Sequence, residues 1–314
     1  MPEGHSVHRI SRVITDLFRA SHPGISSPQG RFTAGAKLLS GREFISADAV
    51  GKQLFLHFED EAWMRVHLGI HGAWDFARAS GVDSGIDVLD EAGEDSLSSI
   101  GAPRVSRLRI AERETHDLSH EALAPDFPPE PVGQVRVRLL TEDAVADLRG
   151  PTVCEVLTAS EVAAVLDRLG PDPANSNTER DQNRFIDRAS KKRTPIGLVL
   201  MDQSVIAGIG NVYRAELLFR AGINPHTSSS ELTRDQLAAL WLDWAYLLDI
   251  GISVGQMLTI DGLQGDAYRE ALHKRSARHW VYKREGLPCL RCDHNIALEI
   301  MANRKLYWCP GCQH

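Results

Sequence analysis

Three observations predict an α+β fold of two domains. Short alternating apolar runs punctuated by Gly and Asp extend to residue 158, apolar residues take helical spacing beyond residue 160, and four cysteines form two Cys-x-x-Cys pairs at the end of the chain. Alternation with period two marks strands half-buried on a sheet, whereas spacing of three and four marks one apolar face of a helix. The chain's 314 residues suffice for two separate cores. The expected architecture is an N-terminal antiparallel β-sandwich with a flanking N-terminal helix, then a helical domain that ends in a small cysteine-rich β-hairpin.

Each element follows from its residues. Val7, Ile10, Val13, Ile14, Leu17 and Phe18 share one face and predict a helix over about 4–20 that anchors the N-terminus. The runs 42–46, 53–58, 63–67, 73–76, 134–140 and 153–157 predict the strands of the sandwich. Segment 79–130 holds twelve Asp/Glu against four Arg/Lys, so the net charge of −7 belongs to it and the rest sums to about +1. Rich in Ser, Gly and Pro and poor in aromatics, it reads as a flexible acidic insertion. Helical periodicity returns at 160–169, 195–203, 210–221 and 231–250, and Leu169-Gly170-Pro171-Asp172-Pro173 reads as a hinge or linker. The predicted domains are 1–158 (sandwich), 159–175 (hinge), 176–285 (helical) and 286–314 (finger).

The cysteines give the most specific chemical signal. Cys289 and Cys292 are followed sixteen residues later by Cys309 and Cys312. Two tight turns of this kind place four thiolates around one zinc ion, and a closed sphere of four sulfurs makes that ion structural. Metal binding can replace the core that so short a segment lacks. Cys154 stands apart and reads as a buried thiol. No run of about 18 apolar residues and no signal-peptide pattern occurs, so the expected setting is the cytoplasm, without a membrane partner.

The start Met1-Pro2-Glu3-Gly4 has a chemical reading and a bland one. Removal of Met1 would free a secondary amine beside a carboxylate, and an α-amino group titrates near pH 7.7–8, so part of it is a neutral nucleophile at pH 7. While Met1 remains, the Pro2 nitrogen is an amide with no nucleophilic lone pair, so processing is the expected first step of any such function. The alternative is an inert chain end. Farther on, 269–284 carries six Arg/Lys against one Glu beside Trp280 and Tyr282, either a nucleic-acid footprint or a solvated face. Gly208 and Gly210 would let the backbone approach a phosphate, with Asn211 opening the next helix and its amides facing outward. Arg304 and Lys305 lie in the turn between the cysteine pairs, where an arginine fork can hold a phosphate.

Taken together, the Pro-Glu-Gly start, Gly51-Lys52, the Leu-Gly-Pro-Asp-Pro hinge, GIGNVYRAELLF and the final YWCPGCQ resemble the formamidopyrimidine-DNA glycosylase and endonuclease VIII family. The Gly after Pro-Glu and the Tyr-Trp-Cys-Pro ending look most like the endonuclease VIII branch and its actinobacterial members. The resemblance implies a helix-two-turn-helix DNA-binding domain, a zinc finger, and a bifunctional DNA glycosylase and abasic-site lyase of base excision repair that acts as a monomer on damaged duplex or single-stranded DNA. It implies that Pro2 attacks C1′, that Glu3 is a general acid with a raised pKa, that Lys52 serves proton transfer and a phosphate, and that Asn211 and Arg304 clamp phosphates around a flipped nucleotide. The alternative is a non-catalytic damaged-DNA-binding protein of the same fold.

Departures from the family pattern are visible. Ser6 replaces a second glutamate usual at the sixth position, and the loop usually rich in Arg and Phe reads Asp147-Leu148-Arg149-Gly150-Pro151. Ile70, His71 and Arg149 are the residues placed to fill the gap left by the flipped base. His5 and His8 read as helix-surface histidines, and the expected base-covering loop at 252–276 does not identify the lesion.

Overall fold

The computed structural model describes residues 2–79, 99–101 and 127–314. Most of the expected acidic insertion therefore lies outside the described residues. The described chain forms two compact units, one of Pro2, 6–79, 99–101 and 127–167, the other of 3–5 and 168–314.

The first unit is a sandwich of two antiparallel sheets. One sheet has the order β1-β7-β8-β5-β6, from Gly24–Ser26, Val135–Leu140, Ala144–Arg149, Ala73–Arg78 and Ser99–Gly101. The other has the order β2-β3-β4-β9, from Phe44–Val50, Gln53–Phe58, Ala62–His67 and Val153–Thr158. Alternation sends Leu54, Leu56, Phe58, Met64 and Val66 from one sheet and Trp74, Val137, Leu139 and Leu148 from the other into a common core. Helix α1 (Gly4–Phe18) adds Val7, Ile10, Ile14 and Phe18 to that core, on the face its spacing predicted. Phe44 sits edge-on between Phe18 and Phe58, with ring centroids 6.3 and 5.6 Å away. Residues 33–39 form α2 (Thr33–Leu39), and α3 (Ala159–Leu166) starts at a Thr158/Glu161 capping box and covers Phe55 with Val162 and Val165.

Two details of this unit differ from the sequence expectation. The segment 147–151, expected as a loop, is mostly strand: β8 runs to Arg149 and turns only at Gly150, where φ is +57°. Ala144 and Ala146 have low strand propensity, so the signal was weak locally; cross-strand partners supply the order, with Arg138 making two bonds of 2.7 and 2.8 Å to Asp147. Strand β2 likewise continues past 46 to Val50, pairing Val50 with Gln53 across a two-residue turn.

The second unit is helical. It contains α4 (Glu179–Ala189), α5 (Ile196–Val199), α6 (Asn211–Arg220), α7 (Arg234–Val254), α8 (Gly265–His273) and the hairpin β10–β11 (Ala297–Met301, Arg304–Trp308). The sequence expectation missed α4 because only Phe185, Ile186 and Ala189 of its eleven residues are buried, too sparse a stripe to stand out. The helix expected over 195–203 shrinks to one turn, since the Asp202 carboxylate accepts from Ser204 N at 3.0 Å and closes an Asx turn. Helix α7 is long and apolar enough to cross a membrane by length and composition. In this fold it is the core helix: Leu237, Leu240, Trp241, Trp244, Leu247 and Leu248 are buried within the unit. A capping box from Thr233 and Gln236 starts it, and Gly255 in the left-handed region ends it.

The sandwich core should be sensitive to the Phe44 site. Replacing Phe44 by Ala removes a side chain with no solvent exposure and is expected to cost about 3–5 kcal/mol by chemical denaturation; a loss under about 1 kcal/mol would show the three-ring cluster to be loosely packed.

Candidate functional site

In the first unit Pro2 is buried, and Lys52 is half-buried in the turn between β2 and β3. Gly51 occupies the first central position of that turn with φ +59°, a conformation that favours glycine in a two-residue hairpin connection. His67, at the end of β4, was not anticipated from the sequence. Burial lowers its pKa first, and the Lys52 and Arg65 charges lower it further, so the ring is neutral and within electrostatic reach of Lys52. The Gly69 amide donates to its Nδ1 at 3.1 Å.

The two loops carrying Ile70, His71 and Arg149 meet in this unit. A Cβ on Gly150 would stand 3.1 Å from the His71 carbonyl oxygen, and one on Gly69 would collide with the Thr152 side chain. Ile70 is 56% exposed, an unusual setting for an isoleucine, and His71 is exposed beside it. Arg149 is tied into its own sheet, ion-paired with Asp75 and donating to the Val132 carbonyl at 2.8 Å.

In the second unit the N-terminus of α6 is the organising feature. Helices α4 and α7 carry their own threonine caps, but α6 begins at Gly210 without a side-chain cap. Its acceptor comes from Glu3, whose carboxylate receives hydrogen bonds from the amides of Gly210 (2.9 Å), Val212 (2.8 Å) and Tyr213 (3.3 Å). Glu3 is fully buried. A buried charge is tolerable only when such donors replace water, and helix-start amides are the donors a carboxylate complements best. The amides expected to face outward thus face this carboxylate. Gly210 has no room for a side chain, since a Cβ would lie 2.4 Å from Glu3 Cδ. Gly208 (φ +93°) accepts from the Gly4 amide at 3.0 Å and fixes the same juncture. His5 is buried, edge-on to Tyr213 at 5.6 Å, and not on a surface. His8 is buried as well, so neither histidine takes the helix-surface place expected of it.

From this anchored helix Asn211 and Arg214 reach the hairpin. Asn211 Nδ2 donates to the Lys305 carbonyl at 2.7 Å, while an Arg214 terminal nitrogen donates to Asn211 Oδ1 (2.6 Å) and to the same carbonyl (3.0 Å). Arg214 is fully buried; burial pulls its pKa down to about 10, and the nearby Arg304 charge adds to that. It stays cationic at neutral pH. Two guanidiniums close enough to repel one another form an arrangement that an anion relieves.

Glu216, two residues beyond Arg214, is another buried carboxylate missed from the sequence. It accepts from the amides of Trp280 (2.8 Å), Val281 (3.0 Å) and Tyr282 (2.8 Å), with Thr259 Oγ1 at 2.5 Å. These bonds moor the loop that brings Tyr282 beside Asn211, and burial with the Glu3 charge pushes the Tyr282 phenol up to about 12. A sequence signal existed: Val212, Tyr213, Ala215, Leu217, Leu218 and Phe219 point to several sides of α6, so no single polar face is left for Arg214 and Glu216.

The hairpin turn holds Ala302 and Asn303 at positive φ (+47° and +61°), and Arg304 opens β11 directly after it. Below it, Cys289, Cys292, Cys309 and Cys312 have all four sulfurs within 4.8 Å of one another. The pairs Cys289–Cys312 and Cys292–Cys309 lie at 3.9 and 3.4 Å, near the edge of about 3.8 Å for a tetrahedron with ~2.3 Å metal–sulfur bonds. The donor set fits one structural zinc ion. Gly311 permits it, because a Cβ there would reach 3.0 Å from Cys292 Sγ.

The Glu3 seat gives a direct test. Gly210→Ala is expected to lower stability by about 1–3 kcal/mol through overpacking against the carboxylate, measured by chemical denaturation, whereas Gly24→Ala, outside the left-handed region like Gly210 and with nothing closer than 3.6 Å to its Cβ, isolates the cost of replacing a glycine without a clash. Equal losses at the two sites would remove the steric argument.

Comparisons with known proteins agree with this arrangement. Residues 1–95 match the formamidopyrimidine-DNA glycosylase N-terminal domain, 169–261 the formamidopyrimidine-DNA glycosylase H2TH domain, and 286–314 the zinc finger found in FPG and IleRS. Endonuclease 8 1 of Mycobacterium tuberculosis is 35% identical over 314 residues, covering all of both chains. Endonuclease 8 of Escherichia coli is 27% identical, again over the whole of each. Among solved structures, Lactococcus lactis Fpg in complex with DNA containing N7-benzyl-Fapy-dG superposes with a TM-score of 0.70 at 19% identity over all of both chains. MutM (Fpg) from Thermus thermophilus gives 0.66 at 22% identity, over 99% of this chain and 98% of that one. From the sandwich through the Glu3-capped helix to the four-cysteine hairpin, the chain belongs to the formamidopyrimidine-DNA glycosylase and endonuclease VIII family.

Proposed function

We propose that this chain excises oxidised bases from damaged DNA and then cuts the strand, with Pro2 as nucleophile, and that it does so in the cytoplasm on the nucleoid. Members of the family are DNA glycosylases with abasic-site lyase activity. The observation that carries the residue assignment is the seating of Glu3. Three amides and complete burial fix this carboxylate, and Pro2 is the residue before it, so the amine freed by loss of Met1 is tethered next to an anchored acid.

In the proposed chemistry Glu3, holding the proton shed by the Pro2 ammonium, protonates the sugar ring oxygen as the Pro2 nitrogen lone pair bonds to C1′ and the C1′–O4′ bond breaks; the nitrogen then loses its remaining proton, and its lone pair forms the iminium as the N-glycosidic bond breaks, its electron pair leaving with the damaged base. The iminium acidifies the adjacent C2′–H; loss of that proton expels the 3′ phosphate and cuts the strand. Lys52, with neutral His67 near it, serves the proton transfers and a lesion phosphate. Asn211, Arg304 and Lys305 hold the backbone on either side of the extruded nucleotide, while Gly208 and Gly210 admit the close contacts with Gly4 and Glu3 that set Asn211 in place. Exposed Ile70, with His71 and Arg149 nearby, fills the gap left in the stack. Oxidised pyrimidines are the first substrates to examine.

Borohydride reduction with abasic-site DNA is the test. The processed chain is expected to give a covalent complex, and a chain blocked by retained Met1 is expected to give none. Tight DNA binding with no trapped complex and no strand cleavage would favour the non-catalytic reading; an undiminished complex from the blocked chain would remove Pro2 as nucleophile.

A further inference from the structure

A second basic feature lies in the helical unit, apart from the Asn211–Arg304 group. Arg168, Arg188, Lys191, Lys192, Ser204 and Val205 line a surface cavity of about 390 Å³. Four cations thus converge on a space at the lower end of the size range of small-ligand pockets. Asp202 offsets part of this charge, at 3.4 Å from Lys192 Nζ and within electrostatic reach of Arg188, and Arg168 and Lys191 are exposed.

The cavity is built rather than incidental. The Arg188 guanidinium is pinned by two backbone carbonyls, Leu169 at 3.3 Å and Ser204 at a shorter distance, while Arg184 donates to the same Leu169 carbonyl at 3.1 Å. Burial and the neighbouring Arg184 charge lower the pKa of Arg188, as expected where like charges are held together. Gly170 lets the wall close, since a Cβ there would lie 2.4 Å from the Val205 carbonyl carbon. Ser204 and Val205 also start the turn that ends at Gly210 and Asn211. Gln203 braces that turn, accepting from the Gly208 amide at 2.9 Å and donating to the Ile209 carbonyl at 3.1 Å. The cavity and the start of α6 are two sides of one short, rigid loop.

We propose that this cavity is an additional phosphate seat for the DNA backbone, contacting a strand beyond the group that holds the lesion. The proposal rests on the DNA-binding reading above. Cations gathered from separate segments around one cavity bind phosphodiesters by charge and counterion release, with no reading of sequence. Arg168 and Lys191 supply the exposed charges, and Arg188, already fixed, preorganises the floor.

The test measures affinity by fluorescence anisotropy against salt concentration, using a duplex with a tetrahydrofuran abasic-site analogue. Each lost phosphate contact lowers the slope of log K against log salt by about one. Arg168→Ala/Lys191→Ala should therefore reduce the slope by about two and weaken binding several-fold at fixed salt, while borohydride trapping at saturating abasic DNA stays at the wild-type level, which also shows that the variant folds. Arg234→Ala, which removes an exposed arginine of the same unit outside the cavity, should leave the slope unchanged. A double variant indistinguishable from wild type, or an equal loss with Arg234→Ala, overturns the phosphate seat while leaving the glycosylase reading intact. Failure of the wild-type protein to bind the duplex overturns both.

Discussion

The contact between the Glu3 carboxylate and the first amides of α6 is the constraint on which the rest of the second unit depends. A helix start leaves amides without intrahelical acceptors, and a buried carboxylate is costly without donors. Here each need answers the other across 207 positions of sequence. Neither partner has a local substitute: α6 has no capping side chain of its own, and Glu3 is fully buried. The lack of a side chain at Gly210 is part of the same contact. Once the helix start is fixed, Asn211 and Arg214 are aimed at the Lys305 carbonyl, and the hairpin tip is bound to the same turn that holds Glu3.

The electrostatics of that unit are local, not global. The chain is acidic overall, but its net charge comes from residues 79–130, and the cations that matter sit in fixed places. Arg214 is buried next to Arg304, and Arg220 is held by Asp243 and Asp261 at 2.7 Å each. Glu216 shows the complementary device, a buried anion whose hydrogen bonds moor the Trp280–Tyr282 backbone to α6. Arg214, Glu216 and Arg220 on one helix are thus each held by internal partners. The structural metal site completes the support by holding the hairpin that carries Arg304 and Lys305.

Much of this was legible in sequence where the signal is local. The four cysteines announce their site by spacing, α1 by six residues on one face, and β3 and β4 by alternation. The sandwich and the helical unit follow from the change of period near residue 160. What escaped is non-local or compositionally quiet. Strand β8 is rich in Ala and is ordered by its partners. Helix α4 buries only three side chains. His67 gains interest only because the hairpin turn brings Lys52 near it. Glu3 was visible as a candidate acid, but nothing near it in sequence marks the helix that seats it. Arg149, legible as a loop residue, proved to end a strand with its guanidinium tied to Asp75.

Glu3 seats the start of α6 and, in the function proposed, supplies the acid for base release. Glu3→Gln removes the carboxylic proton and keeps one of the two oxygens that accept from the helix amides, so trapping at the abasic site also reports whether the helix start is still seated. The decisive measurement compares single-turnover release of an oxidised pyrimidine from duplex DNA with borohydride trapping on a preformed abasic site. Base release is expected to fall by about 10²–10⁴-fold while trapping at the abasic site persists within a few-fold. Unchanged base release would show that Glu3 is not the acid.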